Sequence, residues 1–449
     1  MVFRHETELE LLKGALDTLA SGFADLPEAD TYYSLDGMED VLQDVARRMQ
    51  DNFPYHHPRY AGQMLKPPHP VARLAYALSL WLNPNNHALD GGRASSAMEL
   101  ECVEAIARMF GFSESLGHLC GGGTMANLEG LWVGGRVQPR GKVVASAQAH
   151  YTHRRISEVL RLEFEAIPVS ASGRMDVDAL RSVLQKEEVG TVVATLGTTG
   201  VGAVDPLAEI LELREEHGFR VHVDAAYGGY FHIASEQPEE ARRQFAQIAN
   251  ADSVVIDPHK HGLQPYGCGC IVFRDPAVAA LYRHDSAYTY YSSAELHLGE
   301  ISLECSRPGA AAVALWTTQQ LLPMQRGGAF ATALDRSLLA ARNFRNGIET
   351  SRNFVSLMEP ELDIVVYAVR AEDAGEASQR ARDVFQRAAE RNLHLALIDL
   401  PASMVSHWWP DLVLNRDTVT CLRSCLMKPE HLDQVDEICA TLERICDEK

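Results

Sequence analysis

Apolar positions recur every three or four residues through ETELELLKGALDTLA and MEDVLQDVARRMQ, so the first 50 residues predict helix. The stretch PYHHPRYAGQMLKPPHP breaks that period with prolines and histidines and predicts irregular chain. VARLAYALSLWL restores the period, and Asn83-Pro84 ends it, because a residue before proline is pushed out of helical geometry. From about residue 95 the pattern alternates. SAMELECVEAIARMFGF reads as amphipathic helix, and GGGTMANLEGLWVGGR as a glycine turn running into a second one. Short β-rich runs then recur: VVASAQAH, FEAIPVS, TVVATLGTT, RVHVDAAY, SVVIDPHK and CGCIVFRD. VDALRSVLQKEE and LAEILELREEHG separate the earlier ones as helices.

Strands alternating with helices over this length predict an α/β domain with a mostly parallel sheet covered on both faces. Ligands of such sheets bind beyond the carboxyl ends of the strands. The tail changes character. A long helix, RGGAFATALDRSLLAARNFRNGIE, is followed by LDIVVYAV, a helix near ASQRARDVFQRAAERN, and TVTCLRSCLM. This predicts a smaller α+β domain from residue 325, after an N-terminal helical segment over 1–84 and a large domain over 85–324.

Length and charge narrow the class. At 449 residues the chain is too long for one small core. Its net charge of −20 argues against nucleic acid or an anionic membrane as partner, since phosphates attract basic faces. No apolar run reaches the roughly 18–20 residues of a membrane span. The opening MVFRHETELELLKGAL has acids where a secretory leader is basic and then apolar, so a cytoplasmic protein is expected. Nine cysteines, including Cys268, Cys270, Cys421 and Cys425, fit neither a disulfide ladder nor a paired zinc clip; buried thiols are expected. His56, His57 and His69 lie among prolines without helical spacing or nearby acids, so they are read as loop residues and no metal is expected.

Four short segments carry chemistry. In SVVIDPHKHG a strand ends and Lys260 follows His259; a lysine amine becomes a nucleophile when burial or a cationic neighbour favours its neutral form. Thirty-six residues earlier, RVHVDAAYGG places Asp224 at the end of another apolar strand. Parallel strands open on one edge, and a carboxylate there can pair with a protonated pyridine nitrogen. In GHLCGGGTMANLEG three glycines precede Thr124 and a helix, whose first amides make a site for a phosphate dianion. The run lacks the Gly-Lys-Ser/Thr ending of a P-loop. In SAQAHYTHRR, His150 follows a strand and could stack on an aromatic ring. Alone, each is the kind of residue that most often caps a helix or faces solvent.

Taken in order, GGGTMANL, AHYTH, TLGTTGVGAVDPL, HVDAAYGG and DPHKHG resemble the group II pyridoxal-phosphate decarboxylases, over roughly residues 53 to 320. HPRYAGQM and NPNNHALDGGRASSAMELE are similar to the same family, nearest its shorter prokaryotic tyrosine-decarboxylase-like branch. The resemblance implies a fold type I enzyme of the aspartate-aminotransferase kind. It would release carbon dioxide from an aromatic amino acid such as tyrosine, or an acidic one such as aspartate or glutamate. It implies pyridoxal 5'-phosphate carried by Lys260 as a Schiff base, with Asp224 at the pyridine nitrogen and His150 stacked on the ring. Ala226 would lie on the other face. Gly123 and Thr124, with His259, would hold the phosphate, and Thr198 or the adjacent Thr199 would stand near the phenolic oxygen. Gln63 would meet substrate. A mobile-loop tyrosine would return the proton; Tyr288, Tyr290 and Tyr291 lie in HDSAYTYYSSAELH, and the spacing from Arg307 favours Tyr288. The resemblance also implies a homodimer.

The chain departs from that pattern twice. Relatives commonly carry proline where this chain has Arg93, and a Thr-Ser pair where it has Cys120-Gly121. Arg93 could reach the substrate channel and favour an acidic side chain, or form a structural ion pair. Transamination, carbon–carbon lysis and oxidative deamination share the fold, so fold alone does not separate them from decarboxylation.

Overall fold

The computed structural model describes residues 5–27, 34–283 and 297–448. Its large sheet has seven strands: β1 (Leu116–Cys120), β2 (Lys142–Ser146), β3 (Phe164–Ile167), β4 (Val189–Thr195), β5 (Arg220–Asp224), β6 (Ser253–Ile256) and β7 (Gly269–Phe273). Their order across the sheet is β1-β7-β6-β5-β4-β2-β3. Only β7 runs against its neighbours, pairing antiparallel with both β1 and β6. The others are parallel, so β1, β2, β4, β5 and β6 end on one edge. Strands β4 and β7 are buried throughout, which is why they read as near-continuous runs rather than alternating ones, whereas β5 alternates polar and apolar residues although all but Arg220 are buried.

The predicted helices form, including Arg93–Phe110, Gly123–Val137, Val177–Leu184 and Leu207–His217. The helix begun at Pro70 closes at Ser79, short of the expected Leu82. Asn83 adopts a left-handed backbone at φ 49° and bonds back to the Ser79 carbonyl at 2.8 Å, which turns the chain before Pro84.

A second sheet lies wholly after residue 325. It comprises β8 (Phe354–Ser356), β9 (Ile364–Val369), β10 (Ala396–Pro401) and β11 (Thr418–Cys425), all antiparallel, in the order β10-β11-β9-β8. Helices Ala329–Glu349 and Ala374–Glu390 flank it. One apolar core runs from the large sheet into this part, joining Val223 and Val254 to Leu334 and Ile364. The two N-terminal helices, His5–Ser21 and Met38–Met49, bury no residue at all in the single chain. Cys102, Cys120, Cys268, Cys270, Cys421 and Cys425 are buried free thiols. Among the described residues, no helix is long and apolar enough to cross a membrane.

Candidate active site

Three adjacent strand ends build the floor. In the β4–β5–β6 register Thr195 stands opposite Asp224, and Asp224 opposite Val255. The β6 strand then leaves the sheet at Ile256 and turns through Asp257 to Lys260, whose amide bonds the Asp257 carbonyl at 2.9 Å. The ends of β1 and β2 deliver the glycine turn and His150 to the same edge. A cavity of about 450 Å³ opens there, bordered by Gly121–Thr124, His150, Asp224, Ala226, His259 and Lys260.

Asp224 is buried, and burial alone would raise its pKa. The His153 Nε2 donor at 2.8 Å, the charges of His153 and Lys260, and the Ala226 amide at 3.1 Å together hold it well below the usual carboxylate range. Asn127 Nδ2 adds a third donor at 3.2 Å. The orientation of that amide is itself fixed. His222 Nε2 donates to Asn127 Oδ1 at 2.8 Å, while its Nδ1 accepts from Ser253 Oγ at 2.8 Å. Burial pushes the His222 imidazole down to about 3, so it stays neutral and this donor pattern persists. The ring fits because residue 130 is glycine: a Cβ there would collide with His222 Cε1.

Lys260 Nζ lies 3.0 Å from Asp257 Oδ2, and Asp257 is itself buried. Among the described residues Asp257 Oδ1 has no hydrogen-bond partner. His259 Nδ1 bonds the Cys268 carbonyl at 2.8 Å, which sets the ring against the turn before β7. Burial lowers the pKa of both His150 and His259, so each imidazole favours its neutral form. At the glycine turn Gly122 has φ +149°, and a Cβ on Gly123 would come within 2.7 Å of Asp257 Oδ2 and 3.2 Å of Ala226 Cβ. No side chain caps the helix that begins at Gly123, so its first amides remain available to an anion.

Of the residues singled out from sequence, Gly123, Thr124, His150, Asp224, Ala226, His259 and Lys260 converge on this cavity. Thr198 does not reach it. The extended segment alternates, putting Thr195, Gly197 and Thr199 on the cavity side. Thr198 is buried behind it, its hydroxyl accepting from the Ala203 amide at 3.0 Å. Gln63 and Arg93 are exposed and do not border the cavity within one chain; Arg93 opens the helix Arg93–Phe110. Tyr288, Tyr290 and Tyr291 lie outside the described residues. His57 and His69 accept from the amides of Arg59 and Val71, as loop and cap residues do. Among the described residues no group of three or more His, Cys, Asp or Glu could hold a metal.

Sequence reading missed Asp257, Asn127, His153 and His222. The signal for His222 was present: two residues before Asp224 on one strand, it shares that residue's face. Asn127 and His153 reach Asp224 from two different helices, a meeting that no local pattern encodes.

The family model described as the pyridoxal-dependent decarboxylase conserved domain matches residues 132–370. The chain belongs to the pyridoxal-dependent decarboxylase family. An L-tyrosine decarboxylase of Enterococcus faecium is 29% identical, over 75% of this chain and 73% of its own length. A probable L-tyrosine/L-aspartate decarboxylase of Methanothrix thermoacetophila is 31% identical, over 62% of this chain and 70% of its own. The crystal structure of mouse CSAD superposes with a TM-score of 0.80 at 20% identity, covering 98% of this chain and 92% of that one, and shares the fold. The protein is therefore a pyridoxal-phosphate-dependent carboxy-lyase acting on an amino acid. The edge of the sheet fits that cofactor. It offers one lysine amine, a buried carboxylate held anionic, a neutral imidazole and a glycine turn with uncapped amides.

Proposed function

We propose that this decarboxylase converts L-tyrosine to its amine and carbon dioxide, with L-aspartate as the second substrate to test. Relatives matched over 70% or more of their own length carry those two specificities in their names. The observation that carries the catalytic reading is the pairing of Lys260 and Asp224 across one cavity, the first beside Asp257 and the second enclosed by three donors.

Pyridoxal phosphate, when bound, supplies an aldehyde for the substrate amine and a conjugated ring that accepts the electrons left as carbon dioxide departs. Lys260 would hold that group through its Nζ and release it to substrate, and Asp257 lies in position to take the freed ammonium. Asp224, anionic at any working pH, would keep a proton on the pyridine nitrogen. His150 and Ala226 would sandwich the ring. The amides of Gly123 and Thr124, with His259, would bind the phosphate, and Thr199 rather than Thr198 has the position for the phenolic oxygen. Proton return to the substrate carbon falls to Tyr288 or a neighbouring tyrosine, with His150 as the alternative donor.

The exposed apolar faces of the first two helices favour a homodimer, and the unpaired buried thiols favour the cytosol. The N-terminal segment 1–84, the cofactor domain 85–324 and the small domain 325–449 are the units we assign. The deciding experiment is a screen of the common amino acids for carbon dioxide, with aldehyde and hydrogen peroxide measured alongside. Stoichiometric carbon dioxide and amine from tyrosine is the expected result. Aldehyde with peroxide would replace decarboxylation by oxidative deamination. An Arg93→Pro variant that loses only aspartate turnover would assign Arg93 to the acidic side chain.

A further inference from the structure

A second cavity, of about 340 Å³, lies apart from the first, between the irregular segment before Pro70, the start of the helix Ala329–Glu349 and the turn after β11. Its size is that of a small-molecule site, which runs from roughly 300 to 1,000 Å³. Lys66 and Lys428 both border it. Lys66 Nζ donates to the Met427 carbonyl at 3.3 Å and sits 3.5 Å from His261 Nδ1, and Lys428 Nζ donates to the Tyr60 carbonyl at 2.7 Å. Among the described residues neither amine has a carboxylate within ion-pair distance. Lys428 is nevertheless only 3% exposed. Buried ammonium groups ordinarily carry a counter-ion, because desolvating an unpaired charge is costly. The remaining wall is mostly apolar, with Leu263, Leu322, Phe330 and Leu334.

We propose that this cavity binds a small monocarboxylate with an apolar body, the carboxylate taken by Lys66 and Lys428 and the body by the leucine and phenylalanine wall. Desolvation, opposed for Lys66 by Asp363 and Glu430 and reinforced for Lys428 by Lys66, lowers the two amines to about 8 and about 7. Near neutrality the pair therefore carries between one and two charges, the complement of a monoanion. The other titratable groups at the site are His56, His69, His261 and the exposed Glu430. The site also touches the catalytic lysine's neighbour. His261 follows Lys260 in the chain, and its Nε2 lies 3.2 Å from Asp363 Oδ2. Asp363 Oδ1 in turn accepts from the Tyr227 hydroxyl at 2.6 Å, and Tyr227 borders the cofactor cavity.

The test is calorimetric titration of the holoenzyme with hexanoate, with inorganic phosphate as the second probe and cofactor absorbance followed throughout. The expected result is saturable hexanoate binding that weakens at least tenfold in Lys66→Met and in Lys428→Met. It should also fade between pH 7 and 9 as the amines lose their protons, and leave the cofactor spectrum in place. Both variants replace a desolvated ammonium by an apolar chain of similar length, and a melting scan separates lost binding from lost fold. A Leu334→Trp variant, which fills the cavity from its apolar side, should abolish binding. Absence of saturable binding, binding unchanged in both lysine variants, tighter binding of phosphate than of hexanoate, or displacement of hexanoate by an active-site amino acid would each overturn the proposal.

Discussion

Asp224 shows how one residue's chemistry is set by its surroundings. Its burial would favour the neutral acid, yet the His153 donor, the charges of His153 and Lys260, and the Ala226 amide reverse the sign. The lysine opposite it is the more direct test. Lys260→Ala is expected to drop carbon dioxide release below detection and to remove the visible absorbance of the protein-bound cofactor, and a variant that keeps both would end the assignment. His222 gives a pH prediction. Its pKa is near 3 in the fold against 6.5 in an unfolded chain. As the pH falls below about 6.5 the unfolded state takes up a proton that the folded state refuses, so stability is fully present above that pH and declines toward pH 3. Urea midpoints measured at pH 7 and pH 5 should differ, and His222→Gln should reduce the difference. Lys260, Asp224 and His150 were legible because each follows a strand in a short motif. Between Thr198 and Thr199 the sequence left the choice open, because alternation along the extended segment decides which threonine faces the cavity, and it is Thr199 that does.

At the scale of elements, the helix Gly123–Val137 carries two duties on two faces. Its N-terminus faces the cavity, and Gly130 two turns further on leaves room for His222. Gly130→Ala should cost about 1–3 kcal/mol by overpacking and, by displacing His222 and hence Asn127, should loosen cofactor more than stability alone explains. Gly14→Ala is the control: nothing lies within 4 Å of the added Cβ, so it should stabilise its exposed helix by about 0.8–1 kcal/mol and leave cofactor binding untouched. A fluorescence titration with pyridoxal phosphate reads both. Arg307 ties elements together in another way. It is 5% exposed, donates to Glu99 Oε1 at 2.7 Å and to the Leu119 carbonyl at the end of β1, and its backbone amide donates to Asn85 Oδ1 at 3.0 Å. Removing one partner of a buried pair strands the other charge, so Arg307→Met should lower stability by about 3–5 kcal/mol, measurable as a shifted denaturation midpoint. Helices and most strands were legible from period and glycine punctuation. β1 was not, because LGHLC is short and runs straight into the glycines, and β8 and β10 gave no apolar alternation to read.

At the scale of the whole molecule the N-terminal helices stand out, since Leu9, Leu11, Val41, Leu42, Val45 and Met49 are all exposed in the single chain. A protein that keeps such faces in water is expected to cover them with a second copy. Sedimentation should give a dimer, and deletion of residues 1–50 should give monomer or aggregate; a monomer at all concentrations of the full chain would remove the dimer. The small sheet has a reach that its sequence did not announce. Arg423 on β11 donates to the carbonyls of Thr199 at 2.7 Å and Gly200 at 2.9 Å, so the last quarter of the chain fixes the loop beside the cofactor cavity. By itself the sequence determined the alternating architecture, the strand-end positions of Lys260 and Asp224, and the glycine turn, because these depend on contiguous residues and on periods of two and 3.6. Only the tertiary structure decided the strand order, the antiparallel β7, and the donors that hold Asp224 ionised. It alone brought Asp257 beside Lys260, and set two lysines 362 residues apart against one cavity. Those depend on which segments meet, and burial and charge pairing act between neighbours in space whatever their separation along the chain.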